Sequence, residues 1–87
     1  MTDDHAPLVA VRLFAPAREA AGTAHDVLPG ATVEEVLAAA RHRYGPTFTA
    51  VLATSRVWVN GEAADLGDRV GPGDEVAVLP PVSGGLA

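Results

Sequence analysis

Two glycines near the end of the chain, Gly84 and Gly85, are the residues whose type and placement best suit chemistry. They follow Pro80, Pro81, Val82 and Ser83 and precede Leu86 and Ala87. Having no side chain, they fit a pocket that closes around a backbone carbonyl, while the two prolines block sheet pairing beyond Leu79. Extended at about 3.3–3.6 Å per residue, the run from Pro80 to Gly85 reaches roughly 20 Å, far enough to enter another protein's active site. The competing reading is a plain frayed terminus, the usual character of glycine-rich chain ends.

No other residues make a catalytic set of nucleophile, base and orienting group. Ser55 and Ser83 have no histidine near them in sequence. His5 stands in a polar lead-in, His25 on a short edge-like strand and His42 on the polar side of a helix, so all three are expected to be solvated surface residues. His5 with Asp3 and Asp4 lacks the fixed geometry a metal site needs. Glu34 and Glu35 are neighbours whose side chains diverge by about 100° on a helix, and their place in its first turn is explained by the helix dipole. Gly71-Pro72-Gly73 follows no strand-to-helix pattern and lacks a lysine, so it is not a phosphate loop. The chain has no cysteine, which removes disulfides, thiolate metal sites and cysteine redox chemistry. All six basic residues are arginine, so there is no lysine for Schiff-base chemistry or for isopeptide linkage between copies. The formal net charge of -5 disfavours nucleic acid and favours a protein partner with a complementary basic surface. No apolar run approaches the roughly 20 residues that span a bilayer, and the acidic start differs from a secretory signal, so a cytoplasmic location is expected. The sequence therefore predicts no self-contained active site, no bound metal and no bound cofactor.

Eighty-seven residues suit one domain. Residues 1–7 read as a flexible lead-in, 8–79 as the folded body and 80–87 as the extended tail. Alternation over Leu8 to Phe14 predicts a central strand, and Ala15 to Gly22 a loop with about one helical turn. Residues 24–28 predict a short strand closed by Pro29-Gly30. Thr32 as N-cap with Glu35 three residues on has capping-box spacing, and Val33, Val36, Leu37, Ala40 and Tyr44 share one helical face ended by Gly45-Pro46. Thr47 to Ala53 is a helical or irregular link that puts Phe48 and Leu52 in the core. Arg56 to Val59, the Asn60-Gly61 turn, a short edge strand at Glu62 to Asp65, and Glu75 to Leu79 complete the series. If the first and last strands are neighbours they run parallel, giving an α+β fold in which one mixed sheet packs on one main helix.

With Val9, Val11, Leu13, Val57, Val59, Val76 and Val78 facing that helix, Arg12, Phe14, Trp58, Ala77 and Leu79 face away. No second layer remains in the chain to cover them. A patch of Phe, Trp and Leu beside Arg suits partner docking, unless loops or the N-terminal residues fold over it.

Several stretches resemble the MoaD family, the small sulfur-carrier subunit of molybdopterin synthase, within the MoaD/ThiS ubiquitin-like sulfur carriers. These are Val11 to Gly22, Ala31-Thr32-Val33, Val59-Asn60-Gly61 and, most specifically, Gly73-Asp74-Glu75-Val76-Ala77-Val78-Leu79-Pro80-Pro81-Val82-Ser83-Gly84-Gly85. The resemblance implies a ubiquitin-like β-grasp fold. It also implies that an adenylating, ubiquitin-activating-type enzyme uses ATP to activate the Gly85 carboxylate, and that a persulfide donor converts it to a thiocarboxylate. The tail, Pro80 to Gly84 leading, then enters the catalytic subunit of molybdopterin synthase and supplies sulfur for the molybdopterin dithiolene. The family's working form ends at the second glycine, whereas here Leu86 and Ala87 follow. Removal by a peptidase of the JAMM zinc-metalloprotease type is the favoured explanation; a vector-derived addition and loss of the carrier role are the others. Alternatives for function are a sulfur carrier for thiamine, cysteine or another sulfur metabolite, and a ubiquitin-like modifier of other proteins.

Overall fold

The computed structural model describes residues 6–81. Expectations that concern Asp3, Asp4, His5, Val82, Ser83, Gly84, Gly85, Leu86 and Ala87 lie outside the described residues. Alternation makes Leu8–Leu13 strand β1, with Val9, Val11 and Leu13 buried and Leu8, Ala10 and Arg12 exposed. Next come α1 (Ala17–Ala21), β2 (His25–Pro29), α2 (Val33–Tyr44), α3 (Pro46–Leu52), β3 (Arg56–Val59), β4 (Glu62–Ala63) and β5 (Glu75–Leu79).

The five strands form one sheet in the order β2-β1-β5-β3-β4. β1 and β5 are parallel, with Val11 beside Val76 and Leu13 beside Val78, and the remaining pairs are antiparallel. The tail-bearing strand is thus the middle of the sheet, held by a ladder on each side. Val9, Val11, Leu13, Leu28, Val76 and Val78 supply the sheet's buried face, and Val33, Val36, Leu37 and Ala40 of α2 pack onto it. Val57 and Val59 face the same way but are half-buried. Phe48 is fully enclosed and Leu52 nearly so, and α3 contacts both α1 and α2. The link over Thr47 to Ala53 is therefore helical.

The first turn of α2 shows why the chain departs from its sequence reading near residue 64. A helix begins with backbone N–H groups that have no intrahelical acceptor. Thr32 Oγ1 accepts from Glu35 N, and Glu35 Oε1 reaches back to accept from Ala31 N, a variant of the capping box one residue further out. The carbonyls of Asp68 and Leu66 accept from Val33 N and Glu34 N. The segment after β4 is recruited to cap the helix, and the Asp65 N–H is taken by the Asp68 carboxylate. For that reason β4 is two residues long and does not continue to Asp65. Beyond this cap, Val70 N bonds to Ala31 O and the Val70 side chain enters the core.

The exposed edge of the sheet at β2 has few donors to offer. Leu13 N donates to Ala24 O and Gly30 N to Pro7 O, so alternation directs the amides of His25 and Val27 outward. The Val27 N–H is taken by Asp26 Oδ1 at 2.7 Å and the His25 N–H by Thr23 Oγ1 at 3.3 Å. Pro29, third in that outward row, has no N–H. Among the described residues no helix is long and apolar enough to cross a membrane.

Candidate functional site

The site is built on the outer face of β5 at the end from which the tail departs. Arg12, Ala77 and Trp58 form one row across β1, β5 and β3, because Ala77 is the register partner of both others. At about 4.8 Å between strands, this separates the Arg12 and Trp58 backbones by about 10 Å, with only a methyl group between them. Leu79 lies in the next row opposite Arg56. Phe14 N bonds to Val78 O, which brings Phe14 beside the end of β5, and the Arg12 guanidinium carbon stands 5.7 Å from the centre of the Phe14 ring. That stacking holds the charge on the face. Trp58 is 38% exposed, and Phe14 and Leu79 are half-buried. The structure therefore brings Arg12, Phe14, Trp58 and Leu79 together with Pro80 and Pro81, which are exposed and continue directly from β5.

The histidines and carboxylates set aside in the sequence occupy surface positions. His25 is exposed on the edge strand and His42 exposed on α2. Glu34 and Glu35 sit in the first turn of α2, Glu35 within the cap. Gly71 belongs to a turn in which its N–H donates to Asp74 Oδ2 at 2.9 Å.

Two polar clusters were not legible beforehand. In the first, Asn60 Nδ2 donates to Asp74 Oδ1 at 2.9 Å while Asn60 Oδ1 accepts from Glu75 N at 3.0 Å. The Asn60 backbone N–H also bonds to Glu75 O, so this residue clamps the start of the tail-bearing strand through three bonds. It does so from the left-handed conformation, at φ 52°, which asparagine tolerates better than most residues. The sequence singled out both Asn60-Gly61 and Gly73-Asp74, but nothing in their spacing says that they meet. In the second cluster, Arg43 and the Tyr44 hydroxyl at the end of α2 both donate to the Asp26 carboxylate on β2. The Tyr44 bond is the largest of the causes that lower the Asp26 pKa. Burial together with this carboxylate pushes Tyr44 up to about 12.

A surface cavity of about 500 Å³ lies at the opposite end of the sheet, lined by residues that include Asn60, Glu62, Asp68 and Arg69. Among the described residues no polar or charged side chain is buried, and in this lining the Asn60 amide and the Asp68 carboxylate are already engaged with Asp74, Glu75 and Asp65.

One mixed sheet around a main helix, with an open face and a proline-led tail at the end of its central strand, defines the ubiquitin-like β-grasp class of sulfur carriers and protein modifiers. The comparisons agree. The sequence matches the ThiS family over residues 11–85, and the chain belongs to that family. The small archaeal modifier protein 1 of Methanosarcina acetivorans is 32% identical with a TM-score of 0.83, over 94% of this chain and 100% of that one. A Pyrococcus furiosus protein provisionally named molybdopterin converting factor subunit 1 is 26% identical with a TM-score of 0.78, over 87% and 99%. A chain of the Amycolatopsis orientalis BexX/CysO complex is 26% identical with a TM-score of 0.73, over 88% and 99%. A comparison with curated protein sequences found no match.

Proposed function

We propose that this protein is the sulfur-carrier subunit of a molybdopterin synthase and works in the cytoplasm. A JAMM-type peptidase removes Leu86 and Ala87 and leaves Gly85 as a carboxylate. On a ubiquitin-activating-type enzyme, a carboxylate oxygen attacks the α-phosphorus of ATP and pyrophosphate leaves. The terminal sulfur of a persulfide then displaces AMP, and a thiol cleaves the resulting acyl disulfide to release the Gly85 thiocarboxylate. A carboxylate is a poor electrophile, and adenylation supplies the leaving group it lacks. Ser83 and Gly84 pass through the catalytic subunit's channel. Pro80, Pro81 and Val82 limit the conformations that insertion must freeze out.

The observation that carries this reading is the placement of Arg12, Phe14, Trp58 and Leu79 around the end of the strand from which the tail leaves. A partner can grip this face while it works on the tail. The family match running to Gly85 and the Pyrococcus neighbour support it. Intact-mass analysis from the native host tests it. Expected are a species ending at Gly85 and one heavier by the exchange of an oxygen for a sulfur, with co-purification of a molybdopterin synthase catalytic subunit. Finding the 87-residue form alone would overturn the proposal.

The likeness to a small archaeal modifier protein favours a second reading, in which the same activated Gly85 is joined to lysines of other proteins. A ladder of higher-mass conjugates on a tagged protein would identify that use, and co-purification with a thiamine- or cysteine-forming enzyme in place of the molybdopterin synthase catalytic subunit would point to thiamine or cysteine sulfur instead.

A further inference from the structure

Charge is unevenly distributed along β5. At its start, Glu34, Glu62, Asp65, Asp68, Asp74 and Glu75 gather around the Asn60 clamp and the N-terminus of α2, with Arg69 among them. At its end, Arg12 and Arg56 flank the strand on either side, in register with Ala77 and Leu79, while Arg18 and Glu19 on α1 offset one another. No described carboxylate lies within ion-pair distance of Arg12 or Arg56; the ion pair among the described residues joins Arg43 to Asp26. Glu75, the nearest of these carboxylates on the outer face, is two residues from Ala77 beside Arg12 and four from Leu79 opposite Arg56, distances of about 7 Å and about 13 Å at about 3.3 Å per residue. The Debye length is about 8 Å at physiological ionic strength, so Arg56 lies beyond screening range of Glu75 while Arg12 lies at its limit.

A surface approaching from the tail exit therefore meets Arg56 and Arg12 before it reaches the carboxylates. Net charge alone argues for a basic partner, but the net charge resides at the wrong end. We infer that the tail-exit end is a cationic docking pole whose partner presents an apolar socket rimmed by carboxylates, and that the acidic pole rejects the reversed approach. Trp58, Leu79 and Phe14 supply the apolar centre, and Arg12, kept on the face by the Phe14 ring, supplies half of the charged rim with Arg56 opposite. The inference rests on the carrier reading only for the purpose of the docking; the charge complementarity itself does not depend on any sulfur chemistry.

The test uses the full chain, labelled with nitrogen-15, and two hexapeptide probes. One has two central leucines flanked on each side by two glutamates; its twin has lysines in place of the glutamates. The glutamate peptide is expected to shift the amides of Arg12, Phe14 and Ala77 and the Trp58 indole saturably. Those shifts should shrink severalfold between 20 and 300 mM salt, as exposed charge pairs do and purely apolar contacts do not. The lysine peptide should instead move amides near Asp65 and Asp68. The Arg12→Gln/Arg56→Gln variant, with its spectrum otherwise intact, should bind the glutamate peptide about three- to tenfold more weakly. Identical footprints for the two peptides, salt-independent shifts, an unaffected double variant, or no saturable shift with the glutamate peptide would each overturn the inference. The carrier reading is judged separately by adenylation of Gly85, so either can fail while the other stands.

Discussion

Replacing Asn60 tests whether the clamp on β5 holds the tail-bearing strand. Asn60→Ala removes the donor to Asp74 Oδ1 and the acceptor for Glu75 N. Each bond is exposed to water and contributes about 0.5–1.5 kcal/mol net. Alanine must also adopt φ near 52°, which costs an L-residue about 1–2 kcal/mol. The total is about 2–5 kcal/mol. At about 4–8 °C per kcal/mol for a domain of this size, the melting temperature should fall by roughly 8–40 °C. Asn60→Gly loses the same two bonds but accepts the backbone angle, so it should melt above Asn60→Ala by several degrees. Asn60→Asp keeps an acceptor for Glu75 N and sets a second carboxylate against Asp74. It should be less stable than wild type near pH 7 and regain stability below about pH 4, where one carboxyl group is protonated and can donate to the other. Thermal unfolding followed by circular dichroism and Trp58 fluorescence reads all three, and exchange of the Glu75 amide reads the bond directly. If Asn60→Ala and Asn60→Gly both melted within about 2 °C of wild type, the clamp would contribute nothing and the reasoning would fail.

Gly30→Ala should lower stability by about 1–3 kcal/mol in urea unfolding, because its Cβ would lie 2.6 Å from Val36 N and 2.7 Å from Val36 Cγ2, in a backbone that cannot move aside. An unchanged midpoint would contradict that geometry. The Asp26–Tyr44 contact makes stability depend on pH in both directions. The depressed Asp26 pKa contributes stability that is present above about pH 4 and lost as pH falls through its folded value. The Tyr44 pKa, raised from 10.0 to about 12, contributes stability that is present below pH 10.0 and lost as pH rises through about 12. In Tyr44→Phe the alkaline loss should vanish and the acid loss become shallower, as measured by unfolding midpoints across pH. Trp58→Ala should leave the fold intact, since the side chain is partly exposed, yet weaken binding to a molybdopterin synthase catalytic subunit by about 2 kcal/mol or more, the usual effect of removing a central aromatic anchor. Calorimetry showing undiminished affinity would remove Trp58 from the docking surface.

What could be read in advance was what is encoded locally. β3, β5, the Asn60-Gly61 turn and the span of α2 match their sequence readings, because alternation, turn chemistry and a capping box each act within a few residues. The parallel pairing of β1 and β5 followed from two strands that both looked interior. The outward placement of Arg12, Trp58 and Leu79 then followed from strand alternation. The seven residues of α3 are too few to display a period, so only the burial of Phe48 and Leu52 was expected there. The end of β4, the long-range cap on α2 and both polar clusters depend on residues 14 to 35 positions apart, and no single-chain spacing rule joins them.

The closed row of amides on β2 has a consequence for how this molecule lives among its own copies. A small sheet with an open, partly apolar face would ordinarily risk stacking strand upon strand into fibres when crowded. Thr23, Asp26 and Pro29 deny an incoming strand its hydrogen-bond template on that side, and the two-residue β4 offers almost none on the other. Encounters between copies are thereby turned away from the sheet's edges and toward the face, where shape and charge can discriminate.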